Sequence, residues 1–406
     1  MSAQIPGKAR LYGTNCRHFA RRMENTPKSF IREILKVTEN PSIISFAGGL
    51  PNPDLIDVPG ISLAAATVLG QEGRSVLQYS TTEGYLPLRQ FIAERYKKRL
   101  GLSVTPDEIL ITNGSQQCLD LIGKVFIDTG DHIAIERPGY LGAIQAFSLY
   151  EPVFHPVNLD KTGLDPVMLA RVLEAHKVKL FYGIPNSQNP SGITYTNERR
   201  RELASVLGTT ETLFVEDDAY GELNFSGKTL SSMREFLPDQ TIITGSFSKI
   251  LAPGMRLGWL VAPLDIMEHL VIAKQASDLH SNYLSQRIAY QYLHQQNIDD
   301  HIRKICTVYK TQCHLMIDLI KEKFPESVDY TVPEGGMFIW LTLPEGLSST
   351  KVFEHALDVG VAVLPGTPFY TDGGGENTIR LNFSNSTEQK IITGMERFSR
   401  ILCDLM

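Results

Sequence analysis

Short apolar segments rich in β-branched residues alternate with longer amphipathic segments across the middle of the chain, and this alternation constrains the fold most. Strands that alternate with helices indicate βαβ units and a mostly parallel sheet sandwiched by helices, which is an α/β fold. The expected helices are Ser115–Asp128, Gly142–Leu149, Asp165–Glu174 and Asn197–Leu207. The expected strands are Glu108–Thr112, His132–Glu136, Lys179–Pro185, Thr212–Asp217, Thr241–Phe247 and Arg256–Ala262.

The C-terminal part of the chain has a different pattern, which is typical of a smaller α+β domain. A long helical segment, about Ile298–Phe324, precedes three apolar segments, and a last helix ends the chain. The apolar segments are Gly335–Leu343, Val361–Gly366 and Thr378–Ser384, with a helix near Thr350–Val359 between the first two.

The length of 406 residues predicts more than one domain. We expect a large domain over residues 46–300 and a small domain over residues 301–406. Residues 1–45 are expected to form an N-terminal segment with a mobile helix, Ser29–Val37, that packs with the small domain. The small domain would therefore be built from both chain ends.

Composition argues against several classes of function. The net charge of −6 argues against a general binder of nucleic acid or anionic membranes. No apolar run reaches the roughly 18–20 residues of a membrane span, and the first residues lack the apolar core of a secretory signal, so a cytoplasmic location is expected. The ten histidines contain no HExxH pattern, which leaves no indication of a metal site. The cysteines form no CxxC pair and are expected to be buried free thiols: Cys16, Cys118, Cys306, Cys313 and Cys403.

Polar segments directly follow five of the expected strands. Ligands bind beyond the carboxyl ends of the strands in sheets of this type, so we expect these segments to build one site. The segments are Asn113–Gln117, Arg137–Tyr140, Asn186–Gly192, Asp217–Tyr220 and Ser246–Lys249.

Several of these residues suit an anion such as a phosphate. Gly114, Ser115 and Gln116 begin a helix, where exposed backbone N–H groups and the helix dipole favour a negative charge. An ordinary serine N-cap is the alternative for this motif taken alone. The chain has no GxxxxGK[ST] phosphate loop. Further donors are Ser246, Ser248 and Arg256.

Other residues suit an aromatic ring that carries a positive charge. Asp217 ends an apolar strand, and a buried carboxylate is stabilised by a cation such as a protonated pyridine nitrogen. Tyr220 and Asn189 supply polar groups for a ring hydroxyl, and Tyr140 offers a face for stacking. Lys249 lies in an apolar segment that favours a deprotonated, reactive amine. Together these groups predict pyridoxal 5′-phosphate as the cofactor.

Almost the whole chain resembles the fold-type I pyridoxal-phosphate aminotransferases of class I/II. Within that group it is most similar to the 2-aminoadipate aminotransferases of the LysN type and to the related kynurenine aminotransferases. The segments that carry the resemblance are Ser45–Leu55, Leu77–Arg89, Ile111–Leu121, Gln188–Gly192, Val215–Leu223, Gly245–Trp259 and Gly373–Ser384.

The resemblance implies a role for each cofactor-binding residue. Lys249 would attach the cofactor covalently and act in catalysis, and Asp217 would pair with the pyridine nitrogen. Asn189 and Tyr220 would bind the ring hydroxyl, while Tyr140 would stack on the ring. The phosphate would be held by Ser115, Gln116, Ser246, Ser248 and Arg256.

The resemblance also implies substrate contacts and a homodimer with shared active sites. Tyr79 matches a tyrosine that reaches the phosphate from the other subunit. Arg380 matches the arginine that binds the substrate α-carboxylate, and Gly49 lies in the same substrate pocket. Arg32 matches a mobile-helix arginine that contacts a distal acidic group in 2-aminoadipate aminotransferases. Ser191 stands where the family has threonine in its NPTG motif, a mild change.

The implied reaction moves an amino group from an L-amino acid to a 2-oxo acid, with 2-oxoglutarate as the expected acceptor. Lys249 would move the α-proton as general base and acid. The family accepts 2-aminoadipate, aromatic and leucine-like amino acids, so we expect a multisubstrate enzyme.

Two alternatives remain open. The same site suits a β-lyase or a decarboxylase. The sensor half of some transcription regulators has this fold without catalysis, but such regulators carry an N-terminal helix-turn-helix domain, and only residues 1–28 precede the Ser29–Val37 helix.

Overall fold

The computed structural model describes residues 19–24, 40 and 42–406. The helices are α1 (Arg21–Glu24), α2 (Val58–Glu72), α3 (Leu86–Leu100), α4 (Ser115–Phe126), α5 (Leu141–Ser148), α6 (Pro166–Ala175), α7 (Asn197–Leu207), α8 (Met233–Phe236), α9 (Leu264–Asp278), α10 (Tyr283–Gln295), α11 (Ile298–Lys323), α12 (Ser349–Asp358) and α13 (Glu388–Leu405). The strands are β1 (Ile44–Ser45), β2 (Ile109–Thr112), β3 (His132–Arg137), β4 (Val153–Asp160), β5 (Gly163–Leu164), β6 (Val178–Gly183), β7 (Leu213–Asp217), β8 (Thr241–Ser246), β9 (Gly258–Val261), β10 (Asp329–Tyr330), β11 (Phe338–Thr342), β12 (Val361–Ala362), β13 (Leu364–Pro365) and β14 (Thr378–Asn382).

An eight-stranded sheet with the order β2-β9-β8-β7-β6-β3-β4-β5 forms the centre of the protein. The strands β8, β7, β6, β3 and β4 run parallel to one another, while β9 is antiparallel to both β8 and β2. Two reversals leave β2 parallel to β8, so the carboxyl ends of six strands lie at one edge. The predicted α/β fold with a mostly parallel sheet is confirmed.

The sheet has a layer of helices on each face because successive side chains of a strand point to opposite sides. In β3, Ile133 and Ile135 belong to the core that includes α4, α5 and α9. Ala134, between them, belongs to a separate core with α6, α7 and α8. Strands that are apolar on both faces need both faces covered, which explains their nearly continuous apolar sequences.

Side chains at the helix starts explain why several helices begin where they do. Asp165 accepts hydrogen bonds from the backbone N–H groups of Val167 and Met168 at the start of α6. Thr196 accepts one from Arg199 N–H at the start of α7. Such caps satisfy backbone donors that have no partner within the helix.

A second, four-stranded antiparallel sheet has the order β10-β11-β14-β13. Its strands come from the C-terminal part of the chain, and α11 packs against α13 beside it. The short strand β1 pairs in parallel with β12, with Ile44 opposite Val361. The chain before the large sheet therefore contacts the C-terminal part, as the sequence predicts. The predicted domain boundaries at residues 45 and 300 stay predictions.

The structure differs from the sequence expectations at two strands, and one expected helix lies outside the described residues. The strand β4 was not expected, because Pro156 and Asn158 interrupt its apolar pattern near the sheet edge. The strand expected from Arg256 begins at Gly258, since Arg256 has a left-handed backbone conformation with φ of 51° after a 3-10 turn. The expected helix Ser29–Val37 lies outside the described residues.

The cysteines within the described residues are all free thiols. Cys118 and Cys313 are buried as expected, Cys306 is half-buried, and Cys403 is exposed because it lies on the outer face of the last helix. Cys16 lies outside the described residues. None of the helices in that part of the chain combines the length and the apolar composition that crossing a bilayer requires.

Candidate active site

The polar segments that follow the strands meet at the carboxyl edge of the large sheet. Asp217 is the last residue of β7, and Ser246 is the last residue of the neighbouring β8. Tyr140 lies beyond β3 at the start of α5, and Ser115 begins α4 directly after β2. Because β2 is parallel to β8, the start of α4 lies at the same edge as the other segments.

Lys249 lies in the turn after β8 and is only partly exposed. Its Nζ donates a hydrogen bond of 2.9 Å to the backbone oxygen of Gly49. Burial, together with the positive charges of Arg380 and Arg256, lowers the pKa of the Lys249 amine to about 8. Within the described residues, no carboxylate forms an ion pair with it. A larger share of the amine is therefore deprotonated near neutral pH than for an ordinary lysine.

Asp217 is a buried carboxylate that two hydroxyl groups hold in place. Tyr182 Oη donates to Oδ2 at 2.6 Å, and Thr244 Oγ1 donates to Oδ1 at 2.9 Å. Burial raises the pKa of Asp217 to about 6, although these two hydrogen bonds favour the charged form and oppose the shift. The described residues include no cation in ion-pair contact with Asp217. The site therefore has a fixed carboxylate that a bound cation would stabilise.

Arg380 is a buried guanidinium whose charge has no carboxylate partner among the described residues. It lies on β14 of the small sheet and donates to Asn189 Oδ1 at 2.8 Å and to Ala47 O at 2.7 Å. Its Nε has no hydrogen-bond partner in this part of the protein. The guanidinium carbon is 4.2 Å from the centre of the Phe338 ring. Burial lowers the pKa of Arg380 to about 10, as expected for a cation that lacks a counter-ion.

Asn189 and Tyr220 lie together between Arg380 and Asp217. Asn189 Nδ2 donates to Tyr220 Oη across 3.4 Å, a long contact, while Asn189 Oδ1 accepts from Arg380. Tyr220 is buried against Phe338, and the two rings meet edge to face with centres 5.9 Å apart. The two side chains predicted to bind the ring hydroxyl therefore lie side by side, in contact with Arg380 and Phe338.

The start of α4 is suited to an anion. Its N-cap is Gly114, and in the described structure no side chain caps the first turn. The N-cap has φ of 78°, a backbone conformation that favours glycine. A Cβ at this position would lie 2.5 Å from Arg256 Nη2, so only glycine leaves room for the Arg256 side chain. Arg256 is exposed and forms no ion pair with the described carboxylates. Ser246 Oγ accepts a hydrogen bond of 3.1 Å from Ser248 N–H, which places both serines at the same turn.

Tyr140 and Gln116 extend the site on the β3 side. Gln116 Nε2 donates to Gly142 O at 2.9 Å. A Cβ at Gly142 would lie 2.6 Å from the Tyr140 ring, so the ring packs directly on the backbone there. Burial raises the pKa of Tyr140 to about 12, and the charges of Asp217, Arg380 and Arg256 act on it as well. Tyr140 therefore lies within the same electrostatic environment as the other predicted residues.

One predicted residue, Tyr79, is not brought into this group. Tyr79 is 77% exposed, and its ring contacts His280 with the centres 5.8 Å apart. Arg32 lies outside the described residues. The structure therefore leaves the predicted positions of both side chains in the site as predictions.

Sequence reasoning missed the residues that position the predicted ones. Tyr182 and Thr244 hold Asp217, and the rings of Phe338 and Phe369 lie next to Arg380, with the centre of the Phe369 ring 5.4 Å from the guanidinium carbon. The sequence pattern places Tyr182 within the expected strand Lys179–Pro185 and gives it no further role. A tyrosine in an otherwise apolar strand is the signal that was available, because a buried hydroxyl needs a partner.

Comparison with known proteins gives consistent results. The sequence profile of the family "Aminotransferase class I and II" matches residues 53–398. The chain is 41% identical over 396 residues to "Aromatic-amino-acid aminotransferase 1" of Thermococcus litoralis, which covers 96% of this chain and 95% of that protein.

Two solved structures are similar over nearly the whole chain. A crystal structure of LysN, an α-aminoadipate aminotransferase from Thermus thermophilus complexed with N-(5′-phosphopyridoxyl)-L-leucine, has a TM-score of 0.90 and 40% identity, and the match covers 95% of this chain and 97% of that one. A crystal structure of Pyrococcus horikoshii kynurenine aminotransferase has the same TM-score of 0.90 and 40% identity, with the same coverage of 95% and 97%.

Proposed function

Since the chain belongs to the aminotransferases of class I and II, we propose that it moves an amino group from L-amino acids of several side-chain classes to 2-oxoglutarate. Enzymes of this family use pyridoxal 5′-phosphate, and this protein is a pyridoxal-phosphate-dependent transaminase. The range of amino donors, the acceptor and the role of each site residue are the proposal.

The residues of the site fit the charges of this cofactor. The uncapped start of α4, the exposed Arg256 and the hydroxyls of Ser246 and Ser248 suit a phosphate dianion. Asp217 is buried without a cation in contact among the described residues, and a protonated pyridine nitrogen would supply one. In the proposal, Ser115 and Gln116 complete the phosphate site, Tyr140 stacks on the ring, and Asn189 and Tyr220 bind its hydroxyl.

Lys249 carries the central chemical role in the proposal. When bound, the cofactor supplies an aldehyde carbon that bonds with amines and a ring that withdraws electrons from the substrate α-carbon. Lys249 Nζ holds the cofactor at rest, and once freed it removes the proton from the substrate α-carbon. A pKa of about 8 suits this work, since a base acts best when its pKa lies near the working pH.

The observation that carries the proposal is the buried guanidinium of Arg380, which has no carboxylate partner among the described residues and lies next to this amine. The charge of Arg380 is one of the causes that lower the pKa of Lys249. A planar guanidinium suits a carboxylate, so Arg380 binds the α-carboxylate of the amino acid and orients its α-carbon towards Lys249 Nζ. The backbone of Gly49 lies between the two side chains and lines the substrate pocket.

The relatives support a broad range of amino donors. They are named for aromatic amino acids, 2-aminoadipate and kynurenine, and one was crystallised with a leucine adduct. We propose that this enzyme accepts both acidic and apolar side chains. Arg32, which the structure does not describe, is proposed from the sequence to bind the distal carboxylate of acidic donors.

A panel of amino donors tests this function. Purified enzyme is assayed with L-2-aminoadipate, L-phenylalanine and L-leucine, each with and without 2-oxoglutarate, and the formation of glutamate and of products derived from the donor is followed. We expect turnover of all three donors that depends on the 2-oxo acid. Arg32→Ala is expected to lower kcat/KM for 2-aminoadipate roughly 10- to 100-fold, the value of one charged hydrogen-bonded contact. Leucine, which lacks a distal carboxylate, serves as the internal control and should be unaffected.

Either of two results would contradict part of this proposal. Products that form without any 2-oxo acid would indicate a lyase or decarboxylase instead of a transaminase. An equal effect of Arg32→Ala on 2-aminoadipate and leucine would exclude a specific contact with the distal carboxylate.

The lowered pKa of Lys249 predicts the pH dependence of cofactor attachment. Only the neutral amine attacks the aldehyde, so the rate at which the apo protein takes up cofactor should rise with pH and level off above about 8. Below a pH of about 8 the rate of cofactor uptake should fall about tenfold per pH unit. An ordinary lysine would continue to gain reactivity up to about 10.4. Rapid-mixing absorbance measurements at several pH values give the midpoint, and a midpoint near 10 would show that the site does not lower the pKa.

We also propose that two copies of the chain form a homodimer with shared active sites. Leu77 and Tyr79 are 67% and 77% exposed, which is unusual for large apolar side chains placed together on a surface. A partner subunit would cover them. Tyr79 would then reach the phosphate of the cofactor that the partner subunit binds. A cytoplasmic location stays a prediction.

A further inference from the structure

Three histidines lie together at the amino edge of the large sheet, opposite the active site. His132 begins β3, His155 lies on the neighbouring β4, and His176 follows α6 just before β6. One potential ligand nitrogen from each ring lies within 4.8 Å of the other two. The aminotransferase reaction uses none of these residues.

The arrangement follows from the sheet itself. His132 pairs with Val153 of β4 on one side and with Val178 of β6 on the other. His155 is two residues beyond Val153, and His176 is two residues before Val178. The period of two along a strand places alternate side chains on the same face, so the strand pairing brings His132 and His155 to one face.

The ring contacts show that the imidazoles are already close to a ligand arrangement. His132 Nδ1 and His155 Nε2 are 2.7 Å apart and share a hydrogen bond. The His155 and His176 rings stack with centres 4.1 Å apart, and those of His132 and His176 lie 4.9 Å apart. In a tetrahedral zinc site with Zn–N of about 2.0–2.1 Å, ligand nitrogens lie about 3.3 Å from one another. The three side chains would have to rotate out of this stacked arrangement to direct their nitrogens at one ion.

A charged side chain near the cluster also bears on the binding of a cation. The nearby Lys179 is ion-paired with Asp131 at 2.6 Å, which offsets its repulsion of a cation.

We propose that His132, His155 and His176 form a binding site for a divalent transition-metal ion of the Zn²⁺ or Ni²⁺ type, with water completing the coordination. Imidazole nitrogens suit these ions, and three histidine ligands leave a position for water. The ion would link β3, β4 and the segment before β6. The lack of a local motif explains why the sequence did not indicate this site: the three histidines belong to separate elements and meet only through strand pairing.

The proposal is tested by direct metal binding to the holoenzyme without an affinity tag. Titration with Zn²⁺ or Ni²⁺, followed by calorimetry and metal analysis after dialysis, is expected to give one tight equivalent per chain. His176→Ala is the first variant because His176 is exposed and its loss should not disturb the fold. It and His155→Ala should each weaken binding at least about tenfold. His269→Ala, which removes an exposed histidine on α9, is the matched control and should bind as the wild type does.

Further measurements separate loss of a ligand from loss of structure. The variants should keep the cofactor absorbance and the metal-free melting temperature of the wild type, and only the wild type and His269→Ala should gain thermal stability on adding Zn²⁺. His176→Cys restores a ligand atom and should retain Zn²⁺ binding. X-ray absorption should show about three nitrogen ligands near 2.0–2.1 Å. No tight equivalent in the wild type, or unchanged binding in both His176→Ala and His155→Ala, would overturn the proposal.

Discussion

Replacing Lys249 with alanine is expected to lower kcat by about 10⁴-fold, the upper end of what a positioned general base contributes. In the proposed mechanism the variant loses both the amine that holds the cofactor and the group that moves the substrate α-proton. Its fold should be unchanged, because among the described residues the Lys249 side chain makes a single hydrogen bond, to Gly49 O, and lies in a turn rather than in the core. Turnover is measured with saturating amino donor, 2-oxoglutarate and added cofactor.

Spectroscopy distinguishes this role from a purely structural one. Wild-type enzyme should show a visible cofactor band that borohydride removes, and mass spectrometry should place the reduced adduct on Lys249. The Lys249→Ala variant should bind cofactor without that covalent link. Lys161→Ala, which removes an exposed lysine far along the sheet, is the control and should retain full activity.

Rescue by small amines adds a second criterion. An added primary amine that enters the space left by the Lys249 side chain should restore part of the activity, and the gain should increase with the amine's concentration. A variant that had merely lost its structure would not respond. Retention of more than a few per cent of wild-type kcat by Lys249→Ala would show that another group moves the proton.

The grouping of the predicted site residues at one edge of the sheet depends on local patterns. Short apolar segments predict β7 and β8, and the residues at their ends or just beyond them include Asp217, Ser246 and Lys249. Parallel strands place their carboxyl ends at one edge of the sheet. The proximity of these segments can therefore be predicted without knowing the order of the strands. This is why most of the predicted cofactor residues lie together.

What the sequence did not predict depends on contacts between distant segments. Tyr182 meets Asp217 because β6 and β7 are neighbours in register, with Tyr182 opposite Val215. The histidine cluster exists because β3 lies between β6 and β4, an order that differs from the order along the chain. Such pairings follow from packing of the whole sheet, and no short motif encodes them.

Replacing Asp217 with asparagine is expected to lower kcat about 10²- to 10³-fold while cofactor attachment at Lys249 persists. Asparagine has nearly the same shape, so the change removes the negative charge and little else. A carboxylate stabilises positive charge on the ring nitrogen, and the loss of one preorganised electrostatic contact in a buried site has an effect of this size. Steady-state kinetics with saturating cofactor measure the loss, and the cofactor spectrum checks attachment.

The pH dependence of cofactor affinity provides a second test of the role of Asp217. Burial raises the pKa of this carboxyl to about 6 when no cation is bound, and the hydroxyl of Tyr182 opposes that rise by hydrogen bonding to the charged form. In the proposed role the charged form of Asp217 binds the cofactor, so apo enzyme should bind cofactor more weakly as the pH falls through about 6. Tyr182→Phe removes the hydrogen bond and should move this loss of affinity to higher pH.

The two variants together separate charge from packing at the end of β7. In Asp217→Asn the loss of cofactor affinity as the pH falls through about 6 should disappear, because position 217 no longer has a carboxyl group that titrates. In Tyr182→Phe this loss should persist at higher pH, with kcat at alkaline pH close to that of the wild type. If Asp217→Asn instead kept kcat within a few fold and lowered only the melting temperature, the carboxylate would serve the β7–β8 contact through Thr244 and not the cofactor. The position of the pH step therefore decides between an electrostatic and a structural role for Asp217.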